Sequence, residues 1–204
     1  MGVTGIALAV LISGRGSNLQ ALIDACARDD FPARIAVVVS NRPEVAGLDR
    51  ARRAGIPALT VDHKAYPTRE TFEAALQEAL DRYPVDLVCL AGFMRLLTPG
   101  FVALWENRMF NIHPSLLPDY KGLDTHARAL ADGRTQAGCT VHFVRPAMDD
   151  GPVVVQRRVP ILPGDTSDSL AARVLEQEHE AYPQAVRLFA EGRLRLVGDI
   201  VNIT

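Results

Sequence analysis

Hydrophobic residues in the first half of the chain form short continuous runs that alternate with stretches of helical spacing. Ile6 to Ile12 is a continuous apolar run, typical of a strand buried on both faces. Similar runs cover 35–39, 58–61 and 86–91. Between the runs, apolar residues recur at helical spacing, as at Leu19, Leu22, Ile23 and Cys26. Because strands that alternate with helices imply right-handed crossovers, this half predicts a mostly parallel twisted sheet with helices on both faces.

The second half of the chain has a different pattern. A strand is predicted over 108–112, followed by a loop rich in Pro and Gly and a helix over 125–132. Two β-rich runs, 140–144 and 153–159, are expected to be antiparallel neighbours. A last long helix begins near Ser167, and Pro183 is expected to kink or interrupt it. The fold class is therefore α/β with antiparallel strands in its later part, and the 204 residues fit one domain, 1–204.

Composition narrows the class of protein. Hydrophobic residues make up 48% and charged residues 23%, and the net charge is −2, so general affinity for nucleic acid is not expected. The three cysteines, Cys26, Cys89 and Cys139, lie far apart, which favours buried thiols in a reducing cytoplasm over disulfides or a zinc site. The apolar N-terminus lacks a basic start and is interpreted as a strand rather than a signal peptide. No run approaches the roughly 20 residues needed to span a membrane.

A Gly-rich turn, SGRGSN at 13–18, joins the first strand to the first helix. Glycines permit a tight turn, and the amides at a helix N-terminus suit an anion such as phosphate. Ser17 and Asn18 could cap the helix or donate to phosphate oxygens. The dinucleotide fingerprint is absent, since its third glycine position holds Leu19, and so is the GK[ST] of a nucleoside triphosphate loop. A plain tight turn is the alternative, but the carboxyl edge of a parallel sheet favours a ligand site.

The segment NIHPSLLP, 111–118, carries the strongest chemical signal. Asn111 and His113 are two apart at a strand end, so their side chains share a face. Asn111 can donate to a developing oxyanion, and His113 can exchange a proton near neutral pH. The alternative for His113 is a structural ring bonded to backbone groups. A carboxylate from the Asp149-Asp150 loop would orient the ring and raise the pKa of His113, although adjacent loop carboxylates are usually solvated.

Several motifs together identify a family. SGRGSN, LAGFMRLL at 90–97, NIHPSLLP, YKG at 120–122, GCTVHFV at 138–144, MDDGPVVVQ at 148–156 and ARVLEQEH at 172–179 cover nearly the whole chain. They resemble the folate-dependent formyltransferases, and within them the small enzymes of purine synthesis that formylate glycinamide ribonucleotide. The resemblance implies one Rossmann-like formyltransferase domain. It also implies formyl transfer from 10-formyltetrahydrofolate, as co-substrate, to the amine of glycinamide ribonucleotide, without a metal.

The same resemblance implies roles for particular residues. Asn111, His113 and Asp149 would be catalytic, and Gly16, Ser17 and Asn18 would hold the ribonucleotide phosphate. Glu178 would engage the substrate amine. The residues expected to bind folate are Arg69, Met94, Arg95, Leu96, Leu97 and Asn111.

The roles of several other polar residues are left undecided by the sequence. Arg15 could add a phosphate contact or face solvent, and Asp150, where many relatives carry glycine, could raise the pKa of its neighbour or point away. Asp124 and His126 receive no role, and for His142 packing and catalysis are equally plausible readings.

Rival functions remain within the same family. Methionyl-tRNA formyltransferase carries a further C-terminal domain and formyltetrahydrofolate hydrolase an N-terminal one, and the extent and charge of this chain favour neither. A non-catalytic folate- or nucleotide-binding module would not need all three catalytic residues. The expected protein is cytoplasmic, a monomer or weak homodimer, with small-molecule substrates and with neither nucleic acid nor membrane as partner.

Overall fold

The computed structural model describes residues 5–204, and its first strand is the apolar run near the start of the sequence. β1 (Ile6–Ile12) pairs in parallel with β2 (Ala33–Ser40). β3 (Ala58–Thr60) extends the sheet beyond β2, and β4 (Leu87–Leu90) pairs with the other side of β1, both in parallel. Every side chain of β1 after Ile6 is buried, as expected for a central strand covered on both faces.

Helices connect these strands. They are α1 (Ser17–Cys26), α2 (Ala46–Arg53), α3 (Arg69–Leu80) and α4 (Pro99–Leu104), with a short 3-10 helix at His63–Ala65. α1 buries Leu19 and Leu22 of the predicted apolar stripe, whereas Ile23 and Cys26 are half-buried. The predicted alternation of strands and helices is therefore confirmed, with bounds that differ by a few residues.

The remaining elements are β5 (Met109–His113), α5 (Thr125–Ala131), β6 (Gln136–Phe143), β7 (Val153–Pro160), α6 (Ser167–Ala190), β8 (Leu194–Val197) and β9 (Ile200–Ile203). β6 and β7 are antiparallel, as predicted. The strand order β3-β2-β1-β4-β5-β6-β7 gives one mixed seven-stranded sheet, and β8 and β9 form a separate antiparallel hairpin. The predicted α/β class, with a mostly parallel Rossmann-like sheet, is confirmed.

Of the two effects expected of Pro183 on the last helix, the interruption is wrong and the kink stays a prediction. α6 continues from Ser167 to Ala190 with Pro183 inside it, so the proline does not interrupt it. Proline removes a single backbone donor. Buried residues on both sides of it, Tyr182 and Ala185 among them, keep the helix packed, and this packing outweighs the lost hydrogen bond.

The chain divides after Phe110 into two compact units. The single domain expected over 1–204 stays a prediction. No helix within residues 5–204 combines the length and apolar character needed to cross a membrane.

Candidate active site

Strand β5 ends in the two polar side chains singled out by the sequence. Asn111 and His113 alternate along β5 with Phe110 and Ile112, which are buried. Asn111 is half-buried, whereas His113 is only 5% exposed. Little water reaches the ring, so the neighbouring protein groups decide its protonation.

The carboxylate of Asp149 lies against both side chains. Its Oδ2 is 3.3 Å from Nδ1 of His113, and its Oδ1 accepts a hydrogen bond from Nδ2 of Asn111 at 3.4 Å. The backbone amide of Gly122 donates a further hydrogen bond to Oδ2 at 2.9 Å. The structure thus brings together three residues whose pairing the amino-acid pattern alone did not establish.

The loops that supply these groups adopt backbone conformations that most residues avoid. Asp149 and Tyr120 have φ values of 51° and 56°, in the left-handed region. This region costs a non-glycine residue about 1 kcal/mol or more, so surrounding contacts must maintain it. One such contact is the hydrogen bond between Nε2 of His113 and the carbonyl oxygen of Tyr120, at 2.9 Å. The loop after β5 is therefore bonded directly to the ring.

The pKa of His113 is lowered overall, although the charge of Asp149 acts to raise it, as expected. Burial is the largest cause, because it disfavours the charged ring. The Tyr120 carbonyl and the charge of Asp149 both act to raise the pKa but do not overcome burial. A neutral ring can donate to only one of these acceptors, whereas an imidazolium would donate to both. His113 is thus neutral at rest and has acceptors in place for a second proton.

Asp149 remains charged. Burial acts to raise its pKa, but the hydrogen bond with His142, the hydrogen bond from the Gly122 amide and electrostatic interactions with the His113 and His142 rings lower it below its usual range. Asp150 forms an ion pair with Lys121 instead of lying beside the cluster. Of the two alternatives for Asp150, the structure shows the one in which its carboxylate points away.

His142 of β6 completes the cluster. Its ring is 2% exposed, and Nδ1 donates to the carbonyl oxygen of Phe143 at 2.9 Å. Nε2 then lies 3.3 Å from Nδ2 of Asn111 and 3.7 Å from Oδ1 of Asp149. His142 is both packed and in contact with two of the three predicted catalytic residues.

The Gly-rich turn belongs to the first unit and is shaped by backbone packing. Gly16 has φ 71°, and a Cβ there would lie 2.8 Å from the Cα of Gly47 in α2. The amide of Gly47 donates to the carbonyl oxygen of Gly14 at 3.0 Å. A Cβ on Gly47 would lie 2.4 Å from Cδ1 of Ile12 and 3.0 Å from the carbonyl oxygen of Gly14, so both glycines leave space where the turn meets α2.

The predicted phosphate-binding residues lie at the start of α1. Gly16 is the N-cap residue and the helix begins at Ser17, with no side-chain cap hydrogen bond. The alternative in which Ser17 or Asn18 caps the helix is therefore wrong. A helix start of this kind presents amides and a positive dipole end to an anion. Arg15 is exposed, and its carbonyl oxygen accepts a hydrogen bond from Arg50.

The segment after β4 contains most of the predicted folate-binding residues. Met94 and Leu96 are 68% and 56% exposed, which is unusual for large apolar side chains. Leu97 and Arg95 are half-buried, and Nε of Arg95 is buried without a hydrogen-bond partner in the described chain. Arg69 is exposed at the first position of α3. Exposed apolar side chains beside an unpaired guanidinium nitrogen suit a ligand that has an aromatic ring and an acceptor.

A buried hydroxyl joins this segment to the Gly-rich turn within the first unit. Oγ of Ser13 donates to Oδ1 of Asn41 at 2.5 Å and accepts from the amide of Met94 at 2.8 Å. The distance from Nδ2 of Asn41 to Nδ1 of His63 is 3.2 Å. The predicted phosphate turn and the start of the predicted folate segment therefore share one buried hydrogen-bond network.

Glu178 lies on α6 and is 8% exposed. Burial, together with the charge of Glu178, raises the pKa of the Cys139 thiol in β6 to about 12. A buried carboxylate attracts donors and cations, so this side chain is chemically suited to an amine.

Sequence reasoning missed the backbone groups of the cluster. The Gly122 amide and the Tyr120 carbonyl bond to Asp149 and His113, and only the glycine of YKG signals an unusual backbone there. His126 is half-buried, and burial, followed by the charge of His113, lowers its pKa. Asp124 is the N-cap residue of α5 but makes no side-chain cap hydrogen bond.

A cavity of about 340 Å³ lies beside the loop that follows β5. Its lining includes 114–120 and parts of α5, β6 and β7, but neither Asn111, His113 nor Asp149. The polar cluster is therefore separate from the cavity.

The amino-acid sequence is similar to that of a known family and of known proteins. The model of the family described as formyl transferase matches residues 6–186. The phosphoribosylglycinamide formyltransferase of Escherichia coli (strain K12) is 48% identical over 189 residues, which make up 93% of this chain and 89% of that protein.

A longer relative and a solved structure are also similar to this chain. The trifunctional purine biosynthetic protein adenosine-3 of Bos taurus is 49% identical over 93% of this chain, but the chain spans only 19% of that protein's length. The crystal structure of glycinamide ribonucleotide transformylase 1 from Symbiobacterium toebii superimposes with a TM-score of 0.95 at 53% identity, and the match covers 98% of this chain and 94% of that one.

Proposed function

The chain belongs to the formyl transferase family, and on that premise we propose that it transfers the formyl group of 10-formyltetrahydrofolate to the amine of glycinamide ribonucleotide, in purine biosynthesis. The products are the N-formyl ribonucleotide and tetrahydrofolate. The observation that carries the proposal is the contact of Asp149 with both Asn111 and His113. The relatives named above are enzymes of this reaction or of purine synthesis, which supports the choice of acceptor.

Asn111 stabilises the oxyanion. The amine attacks the formyl carbon, a nitrogen–carbon bond forms, and the carbonyl oxygen gains negative charge. Asn111 is held by Asp149 on one side and faces His142 on the other, so its amide is oriented before substrate binds. Both contacts are made by Nδ2 and are long, so one N–H group turns from them to the oxyanion as its charge develops.

His113 accepts and returns the proton. The attacking amine releases a proton, and the folate nitrogen needs one when its bond to the formyl carbon breaks. A neutral His113 takes up the first proton through water, since its two acceptors, Asp149 and the Tyr120 carbonyl, then both receive hydrogen bonds. The resulting imidazolium also stabilises the oxyanion until the proton passes to the leaving nitrogen.

The remaining predicted residues bind the two substrates. We propose that Gly16, Ser17 and Asn18 hold the phosphate at the start of α1, and that Glu178 engages the amine. Arg69 and the segment 94–97 contact the folate, with Asn111 at its reactive end. The exposed Met94 and Leu96 and the unpaired Nε of Arg95 support this assignment.

The remaining expectations belong to the same proposal. Residues 1–204 are one formyltransferase domain, cytoplasmic, and a monomer or weak homodimer. Cys26, Cys89 and Cys139 are thiols rather than disulfides in the described chain, which is compatible with a reducing compartment.

A comparison of acceptors tests the function directly. Release of tetrahydrofolate from 10-formyltetrahydrofolate is followed spectroscopically with glycinamide ribonucleotide, methionyl-tRNA or water as acceptor. We expect turnover that depends on glycinamide ribonucleotide. Formylation of tRNA, or hydrolysis at the same rate without ribonucleotide, would refute the proposed acceptor.

A further inference from the structure

Three consecutive residues of the loop after β5 contact His113, Asp149 and the neighbouring Asp150. The carbonyl oxygen of Tyr120 accepts from Nε2 of His113, and the amide of Gly122 donates to Oδ2 of Asp149 at 2.9 Å. Between them, Nζ of Lys121 forms an ion pair with Oδ1 of Asp150. The loop segment 120–122 therefore lies alongside residues 149–150 and is bonded to both of them.

Only one of these three contacts is made by a side chain of the segment. The contacts of Tyr120 and Gly122 are made by backbone atoms, so their strength depends on where the segment lies. The segment is unfavourable in isolation, because Tyr120 and Asp149 both have positive φ. Lys121 is one of two side chains that position the segment. The other is Tyr120, whose hydroxyl donates to Oδ2 of Asp132 at 2.8 Å, away from Asp149 and Asp150.

We propose that Lys121 and Asp150 are positioning residues for the proposed reaction. Their ion pair holds the amide of Gly122 on Asp149, and Asp149 in turn holds Asn111 and His113. The two partners act through Asp149 and need not touch substrate. The role in turnover depends on the proposed formyl transfer, whereas the contact with Gly122 does not.

The exposure of the pair predicts an effect on turnover rather than on stability. The Lys121 and Asp150 side chains are 35% and 54% exposed, and ion pairs of that kind contribute little to folding. A second contact limits the loss, since Nη1 of Arg128 donates to the Lys121 carbonyl oxygen at 2.8 Å. We therefore expect turnover to fall by about fivefold when the pair is removed, with the Michaelis constants and melting temperature nearly unchanged.

The test uses single, double and control variants of the full chain. Lys121→Met and Asp150→Asn should each lower kcat by about fivefold. Lys121→Arg and the exchanged pair Lys121→Asp with Asp150→Lys should recover most of it. Arg82→Met is the matched control, because Arg82, just after α3, forms an exposed ion pair with Glu78 of that helix. Added salt should lower kcat of the native protein towards that of Lys121→Met, which should itself respond little.

A readout independent of turnover separates this proposal from the proposed function. Hydrogen exchange of the Gly122 amide, measured by NMR, should be several-fold faster in Lys121→Met and Asp150→Asn than in the native protein or Arg82→Met. Unchanged exchange and unchanged kcat in both variants would overturn the positioning role. A native protein without formyl transfer but with the expected change in exchange would refute the proposed function and support the contact.

Discussion

The Gly-rich turn of the first unit is shaped by backbone packed on backbone, whereas the cluster around Asp149 in the second unit is shaped by polar side chains and loop groups. A Cβ on Gly16 would lie 2.8 Å from the Cα of Gly47, and a Cβ on Gly47 would lie 2.4 Å from Cδ1 of Ile12 and 3.0 Å from the carbonyl oxygen of Gly14. Asp149, by contrast, is surrounded by hydrogen-bonding partners that could be exchanged for groups of similar size. We therefore expect the turn to be disrupted by substitutions that add side-chain volume, and the cluster by substitutions that change charge or hydrogen bonding.

The largest effect is expected from side chains of the cluster. Asn111→Ala and His113→Ala should each reduce kcat by about a hundredfold or more, because each removes a group that acts on the developing charge or the proton. The Michaelis constant for ribonucleotide should change little. Steady-state kinetics measures both, with Asn202→Ala on β9 as an exposed amide control. Near-normal turnover in either variant would contradict the assignment.

Added volume should have the next largest effect, on the turn. Gly16→Ala places a Cβ against Gly47 at a residue with φ 71°, so the turn must shift. We expect the Michaelis constant for ribonucleotide to rise by about tenfold or more, the change in binding that a displaced anion site typically produces.

Gly14→Ala is the matched control in the same turn. A Cβ on Gly14 meets nothing within 4 Å, so this variant should bind ribonucleotide almost normally. Equal losses in the two alanine variants would show that the close approach of the glycines is not what shapes the site.

Side-chain loss in the turn should have a smaller effect than added volume. The double variant Ser17→Ala, Asn18→Ala should raise the Michaelis constant for ribonucleotide by about fivefold, because the helix amides remain. Folate affinity, measured by titration with a non-reactive folate, should be nearly unchanged. A loss of the same size for both ligands would indicate a purely structural turn.

The smallest effect is a displacement of the pH profile. The pKa of His113 lies below its usual value of 6.5 because of burial. Since the neutral ring is the form that accepts the proton, turnover is retained as pH falls to 6.5 and is lost only as pH falls further. The pH dependence of kcat measures this, and an acid limb centred above 6.5 would contradict the neutral resting ring.

Much of the fold follows from local pattern. β1 coincides with its apolar run, and α6 begins where Thr166, its N-cap residue, and Ser169 form a capping box. α4 was not predicted because its six residues, Pro99–Leu104, are too few for a periodic signal. The β8–β9 hairpin was also missed, since its mixed apolar and polar residues follow directly on a long helix.

The candidate site was only partly predictable. Asn111 and His113 share a face of one strand, so their proximity follows from sequence. Their contact with Asp149 depends on the path of two loops, and the direction of the His113 pKa shift depends on burial. Neither quantity is encoded in local spacing. Asp149 acts to raise the pKa as expected, but burial, which local spacing does not show, lowers it overall.

The close approach of Gly16 and Gly47 also sets a rule for engineering. Anyone who builds a library to alter acceptor preference must keep both positions invariant, because a side chain on Gly16 would meet the backbone of α2 and one on Gly47 would meet Ile12 and the carbonyl oxygen of Gly14. Diversity belongs instead at Arg15, which is exposed. Two residues without side chains thus define how much of this turn can be redesigned.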